Sequence, residues 1–440
     1  MARQRRSTAL HVHMNGKYVG VYKRAANGAI SFDYADEWRS WDFAMPISLS
    51  MPIRGRAYTG DTVTNFFDGL LPDNDEVRER IAAREGANGV DAYSLLSEIG
   101  RDCVGALQFL PTDATAAAPA SPIGTALTEA DIAQTIRDLR VAPLGRDDSD
   151  DFRISIAGFQ DKTALLWQDE KWKKPLGPSP TTHILKPPIR AQREDMDFSN
   201  SIENEHFCMR LMAEFGISTA PTEILQFEDQ KVISVTRFDR RWRSDGSLVR
   251  IPQEDICQAL GYPSSKKYQS DGGPDIKEIT KFLRGSALHE ADPANFFHAC
   301  ILFWLIGATD GHAKNFSIQH QPNEEFRLAP LYDIMSLQPN VDAGQVKWNK
   351  YKLAMSFGNS RKYKVNDIVG RHIEETAIAC GIRERVVGQI AEEIADNLEN
   401  AFDRTMDLMP SDFPEGLHDS IREGARKRLP ALISILSKPQ

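Results

Sequence analysis

Residues 296–308, Phe296-Phe-His-Ala-Cys-Ile-Leu-Phe-Trp-Leu-Ile-Gly-Ala308, are the most apolar stretch of the chain, and any fold it adopts must hide them from water. The run is too short to cross a bilayer, so it predicts a helix buried on every side. From about Asp255 to the end the pattern is mostly helical, whereas the stretch before it is rich in short alternating strands. At 440 residues the chain predicts two or three folding units. A hydrophobic share of 41% with 26% charged residues is that of an ordinary globular protein and excludes wholesale disorder.

A formal charge of -9 argues against a protein that grips nucleic acid alone over a wide surface. Two basic clusters, Arg3, Arg5 and Arg6, then Arg237, Arg240, Arg241 and Arg243, could touch a phosphate backbone locally, although the plainer reading of both is solvated surface. The five cysteines are widely spaced with no CxxC pair, which fits reduced thiols in a cytoplasm better than disulfides or zinc. The N-terminal stretch holds no apolar run of signal-peptide length, so the expected location is cytoplasmic, without a membrane span.

Three segments follow from this punctuation. Residues 1–112 open with an alternating strand at 10–14, an Asn15-Gly16 hairpin turn and a return strand at 18–22. Short helices are expected at 62–71, 76–84 and 92–99, then a closing strand at 103–110. Residues 113–147 read as a linker rich in Ala, Pro, Ser and Thr. It contains one helix, started by a capping box from Thr128 to Asp131 and ending near Leu139. Residues 148–440 form the third segment, β-rich to about 240 and helical from about 250.

The chemistry concentrates just after the apolar run, in Ala308-Thr-Asp-Gly-His-Ala-Lys-Asn315. Asp310 and Asn315 stand five positions apart, as do the Asp and Asn of the protein-kinase catalytic loop. A carboxylate there accepts the proton of an attacking hydroxyl, and an amide oxygen helps hold a metal on the phosphates. Asp333, in Leu331-Tyr-Asp333-Ile after an expected strand at 326–329, is placed like the metal-binding Asp of a kinase, although no glycine follows it.

Upstream, residues 153–163 read as strand, turn and strand, with Gly158 and the polar tip Gln160, Asp161 and Lys162 available to phosphate oxygens. Neither a dinucleotide GxGxxG nor a Walker motif is present. Lys186 ends a strand that stops at proline, in the place of the kinase lysine. The helix expected at 200–215 offers Glu203 or, better, Glu205 as its ion-pair partner. Residues 231–239 read as a strand running into a connector, where Arg237, Asp239 and Arg240 serve either as an adenine hinge or as a surface ion-pair cluster. The same six parts in this order are far more specific than any one of them.

Long stretches resemble the HipA family: Asn65-Phe-Phe-Asp-Gly-Leu-Leu-Pro-Asp, Leu95-Leu-Ser-Glu-Ile-Gly-Arg-Asp, Arg237-Phe-Asp-Arg-Arg-Trp, Tyr268-Gln-Ser-Asp-Gly-Gly-Pro and Trp304-Leu-Ile-Gly-Ala-Thr-Asp-Gly-His-Ala-Lys-Asn among them. The resemblance implies an α+β, two-lobed protein-kinase-like (PI3/4-kinase-like) fold with an extra N-terminal β-rich subdomain and a helical C-lobe. It implies a toxin serine/threonine kinase using ATP and Mg²⁺, with Asp310 as base and Asp333 and Asn315 as metal ligands. Ala157, Gly158, Phe159, Gln160, Asp161, Lys162 and Lys186 would hold the phosphates. Thr236, Arg237 and Phe238 would line the adenine, with His312, Ala313, Lys314 and Tyr332 in the matching nucleotide segments. Ser155 would be the autophosphorylated residue. Implied partners are a HipB-like helix-turn-helix antitoxin, operator DNA mainly through that antitoxin, and glutamyl-tRNA synthetase as target. Thr236 departs from an often acidic hinge position, and Phe159 and Asp161 depart from the usual loop residues. A small-molecule or lipid kinase of the same architecture is the alternative, and a co-repressor without catalysis is a third reading.

Overall fold

In the computed structural model, which describes residues 9–112, 114, 116, 118–139, 155, 160–189 and 196–436, the apolar run lies within the helix Ala291–Ile306. Phe296, Phe297, Ile301, Leu302, Trp304 and Leu305 are fully enclosed. The helices Ile276–Leu283 and Glu415–Ile433 pack against it. Two polar groups from its surroundings also find partners there. The Trp304 indole donates to the Val365 carbonyl at 2.9 Å, and Arg428 donates to the Leu305 carbonyl at 2.8 Å. A helix without a polar face is stable only under such cover.

The chain divides into two compact units. One comprises residues 1–187, 226–264 and 318–325, and the other residues 188–225, 265–317 and 326–440. The first unit begins with an antiparallel sheet ordered Tyr58–Thr59, Ile30–Tyr34, Lys17–Arg24, Ala9–Met14, Leu107–Pro111. Its first hairpin turns at Asn15 and Gly16 with φ of 46° and 83°, the left-handed pair that a tight two-residue turn requires. Helices Asp61–Asp68, Asp75–Glu85 and Ala92–Ile99 close one face over an aromatic core in which Tyr22 stacks on Phe67 at 4.0 Å. Asn74 and Asp91 cap the second and third of these helices by accepting backbone N–H bonds.

A second antiparallel sheet of this unit orders Gln230–Thr236, His183–Lys186, Thr163–Gln168, Lys171–Pro175, Gly124–Ala126. The helix Glu129–Asp138 is started by the reciprocal Thr128–Asp131 box that its sequence signals. The second unit is mainly helical, with Ser201–Glu214, Gly370–Cys380 and the long Glu384–Asp407 joining the three helices already named. Helices and sheets thus segregate into an α+β fold. Among the described residues, no helix is long and apolar enough to cross a membrane.

Candidate active site

The apolar helix stops at Gly307, whose φ of 71° turns the chain out of the helix and into the loop bearing Asp310. This loop is tied down from behind. Asp310 carbonyl accepts from His312 N–H at 2.8 Å and from the Asn315 side-chain amide at 2.8 Å. Ala313, Lys314 and Asn315 form one short turn and are buried, as is His312. Burial pushes the His312 imidazole below its ordinary value, against the raising effect of Asp310, so the ring is neutral near pH 7. The Asp310 side chain, by contrast, is 62% exposed. The five-residue spacing read from the sequence therefore has a physical meaning here: Asn315 clamps the backbone of the aspartate and leaves the carboxylate in the open.

Asp333 is also exposed and sits at φ 60°, a left-handed conformation uncommon for any residue but glycine and tolerated by aspartate. The chain is pinned on both sides of it. Leu331 exchanges backbone bonds of 2.8 Å with Ser218 and Ala220, and Ser336 exchanges bonds of 2.8 Å with the side chain of Asn204. Tyr332 turns inward and donates to the Lys314 carbonyl at 2.8 Å, which ties the Asp333 segment to the Asp310 loop. Asp310 and Asp333 line one cavity of about 540 Å³, together with Thr309, Met335, Leu337 and Asn340. Asn315 is not part of that wall and stands behind Asp310.

These donors suit a small hard cation. Asp333 offers carboxylate oxygens to the cavity, whereas Asn315 is buried behind Asp310 with its amide nitrogen engaged there. No group of three or more His, Cys, Asp or Glu side chains gathers as a metal site among the described residues. A cation held here draws most of its ligands from elsewhere, as Mg²⁺ does when it rides on phosphates and water.

In the first unit, Lys186 is buried at the end of its strand, paired in register with Ile233. Gln160 donates to the Pro187 carbonyl at 2.7 Å, while Asp161 and Lys162 are half-buried. Ala157, Gly158 and Phe159 lie outside the described residues. Ser155 is fully buried, with its hydroxyl on the Leu70 carbonyl at 2.8 Å and its N–H on the Asp102 carbonyl at 3.0 Å. Thr236 pairs with His183, and the Phe238 carbonyl accepts from Gln319 at 3.3 Å. In the second unit, Glu205 is buried on the helix Ser201–Glu214.

The hinge arginines correct the sequence reading. Arg237 and Arg240 are neither solvated nor at the surface, and only Arg241 and Arg243 of that cluster are exposed. Arg237 binds Asp239 through two nitrogens at 2.9 and 2.7 Å. Arg240 and Arg250 reach Asp102 at 2.9 and 3.0 Å. All five groups are buried. Burial raises the Asp102 carboxyl, but Arg240, Arg250 and Arg237 more than offset this and hold it well below the usual carboxylate range. The Arg237 guanidinium is therefore a structural group, and the backbone N–H of Arg237 donates to the Thr182 carbonyl at 2.9 Å.

Two participants were not assigned a role by sequence. Asp102 lies in a stretch that carries the family likeness, but nothing local signals three buried guanidiniums around it. Tyr268 lies in another such stretch, and its hydroxyl donates to Asp310 Oδ1 at 2.6 Å.

Comparison with known proteins agrees over nearly the whole chain. Residues 10–110 match the HipA N-terminal domain and residues 154–402 the HipA-like C-terminal domain. The chain is 33% identical over 406 residues to the putative kinase Y4mE of Sinorhizobium fredii, covering 91% of this chain and 93% of that one. It is 27% identical over 356 residues to the serine/threonine-protein kinase toxin HipA of Shewanella oneidensis, covering 77% and 78%. The solved complex of Shewanella oneidensis HipA with HipB and its operator DNA contains a chain that superposes with a TM-score of 0.81 at 21% identity, over 98% of this chain and 100% of that one. This likeness fixes the fold as the kinase-like α+β fold of that structure. On the strength of the two matched domains and of a relative shared almost end to end, the chain is a member of the HipA family.

Proposed function

We propose that this chain is an ATP- and Mg²⁺-dependent kinase that moves the γ-phosphate to a serine or threonine hydroxyl of a protein, as the toxin of a HipA/HipB-type pair. The observation that carries the reading is the shared cavity of Asp310 and Asp333, with Asn315 clamped on the Asp310 backbone. Relatives named as kinases support it.

Asp310 takes the proton of the attacking hydroxyl as its oxygen bonds to the γ-phosphorus. The bond from that phosphorus to the bridging β–γ oxygen breaks, and ADP departs. Asp333 and Asn315 would hold Mg²⁺, which would supply positive charge to the phosphates. Lys186 and the segment 157–162 hold phosphate oxygens, with Glu205 as the proposed partner of Lys186. The Thr236-to-Phe238 connector receives the adenine through backbone groups, and His312, Ala313, Lys314 and Tyr332 shape and brace the loop. The rate gain comes chiefly from positioning and charge neutralisation.

Autophosphorylation of Ser155 is the proposed off-switch. Its hydroxyl lies wholly inside the first unit, where a dianionic phosphate has no room and no water. Modification therefore requires that the segment leave its place on Leu70 and Asp102, and it keeps the segment out. The proposed partners are a HipB-like helix-turn-helix antitoxin and, through it, operator DNA, because the chain's own charge is -9. The proposed protein target is glutamyl-tRNA synthetase, with arrested translation as the consequence.

The test is labelling of a cell lysate with γ-labelled ATP, comparing the wild-type chain with Asp310→Gln. Label on a protein band that needs Asp310 is the expected result. Label confined to a lipid, sugar or other small molecule would instead favour the kinase of small substrates.

A further inference from the structure

We infer that Tyr268 is a positioning residue for Asp310: its hydroxyl holds the carboxylate by Oδ1, so that Oδ2 is the oxygen left to receive the acceptor's proton. This rests on the reading of Asp310 as the base.

An aspartate whose side chain is 62% exposed on a loop has no packing to fix its two torsions. A base that wanders among rotamers loses the advantage of pre-set geometry, and misplacement by about an ångström can cost roughly 10²-fold in rate. Only one side-chain hydrogen bond restrains the Asp310 carboxylate among the described residues, the 2.6 Å bond from Tyr268 Oη to Oδ1. The other oxygen is 3.9 Å from His312 Nε2, too far for a hydrogen bond. The two oxygens are therefore unequal.

Tyr268 is itself held well enough to serve. Its ring meets the buried His312 edge-on at 4.9 Å, which fixes the phenol against the very loop that carries Asp310. The residue before it, Lys267, accepts from Ala313 N–H at 3.1 Å, another direct tie to that loop. The residue after it, Gln269, accepts from Ser356 N–H at 2.7 Å and from its hydroxyl at 3.1 Å. Gly273 N–H returns to the Tyr268 carbonyl at 3.0 Å, closing the turn. A Cβ at Gly273 would lie 1.9 Å from the Lys266 carbonyl oxygen, so the turn admits no side chain at that point. The ring contact, the turn and the ties at its two neighbours thus hold Tyr268 against the loop that carries the base.

Tyr268→Phe removes the hydroxyl and keeps the ring on His312. ADP release from Mg·ATP by the full chain is measured for wild type, Tyr268→Phe, Asp310→Asn and the double variant, with thermal unfolding as a control on folding. The expected result is a loss of about tenfold in kcat for Tyr268→Phe, with KM for ATP and the unfolding temperature unchanged. In the Asp310→Asn background the same change should have no further effect, since no base is left to position. Tyr268→Phe at the wild-type rate, or a rise in KM alone, would overturn the inference while the kinase reading stands. A faster Tyr268→Phe would also overturn it, by showing that the hydroxyl covers the base instead of placing it. Wild-type turnover that survives Asp310→Asn would overturn the kinase reading and the inference together. Should Tyr268→Phe unfold early, Gly273→Ala, which displaces the turn from a distance, must show the same kcat loss at constant KM.

Discussion

Asp333 holds its place at the cost of a left-handed backbone, φ 60°, that most residues avoid by about 1–2 kcal/mol. Such conformations persist where neighbouring structure dictates them, and here the bonds at Leu331 and Ser336 do so. Asparagine tolerates the same backbone but carries no charge. Asp333→Asn is therefore predicted to unfold within about 0.5 kcal/mol of wild type while losing phosphate transfer by about two orders of magnitude or more. Denaturant titration and ADP release, measured on one preparation, separate the two effects. A variant destabilised as much as it is inactivated would point to a structural aspartate. At this scale the sequence was informative for Asp310 and Asn315, because both lie in one loop and their spacing survives folding. It was silent on Tyr268, which reaches Asp310 from 42 residues away.

Among elements, the apolar helix and the loop it feeds are joined through a single residue. A Cβ on Gly307 would lie 1.8 Å from the Tyr351 hydroxyl oxygen, and its φ of 71° disfavours any side chain. Gly307→Ala is predicted to cost at least about 1–3 kcal/mol and to lower activity as well, because the loop bearing Asp310 begins there. Calorimetry beside the activity assay checks both.

The buried ionic network of the first unit makes a second prediction. Asp102→Asn leaves Arg237, Arg240 and Arg250 with one buried carboxylate, that of Asp239, and should cost about 3–5 kcal/mol. Because the folded-state carboxyl is depressed, its stabilisation is complete above the unfolded value, about 3.9, and fades as pH falls below it. The gap in unfolding temperature between wild type and Asp102→Asn should thus narrow below about pH 4. A gap that widens in acid would contradict the assignment. Hairpin, capping box and apolar helix were legible because their signals are local. The burial of Arg237 and Arg240 was not, since Asp102 lies 138 residues upstream of Arg240 and their immediate neighbours Arg241 and Arg243 do face solvent.

For the whole molecule, all five cysteines are free and buried. Burial pushes the Cys103 and Cys208 thiols up to about 12 and Cys380 up to about 11. Native protein is predicted to react with almost no thiol reagent, and guanidinium-unfolded protein with five equivalents. Rapid labelling of folded protein would show that one unit opens on its own. The segregation of strands and helices was legible from pattern, whereas the way residues 226–264 and 318–325 rejoin the first unit was not, because long-range contacts leave no mark on local sequence.

Calorimetric titration of ATP with and without Mg²⁺ decides whether Asp310 and Asp333 face one metal-bound nucleotide, as proposed. Wild type should bind ATP far more tightly with Mg²⁺, and Asp333→Asn should lose most of that difference while keeping the metal-free affinity. Equal affinity in the two buffers, or a metal effect untouched by Asp333→Asn, would contradict it.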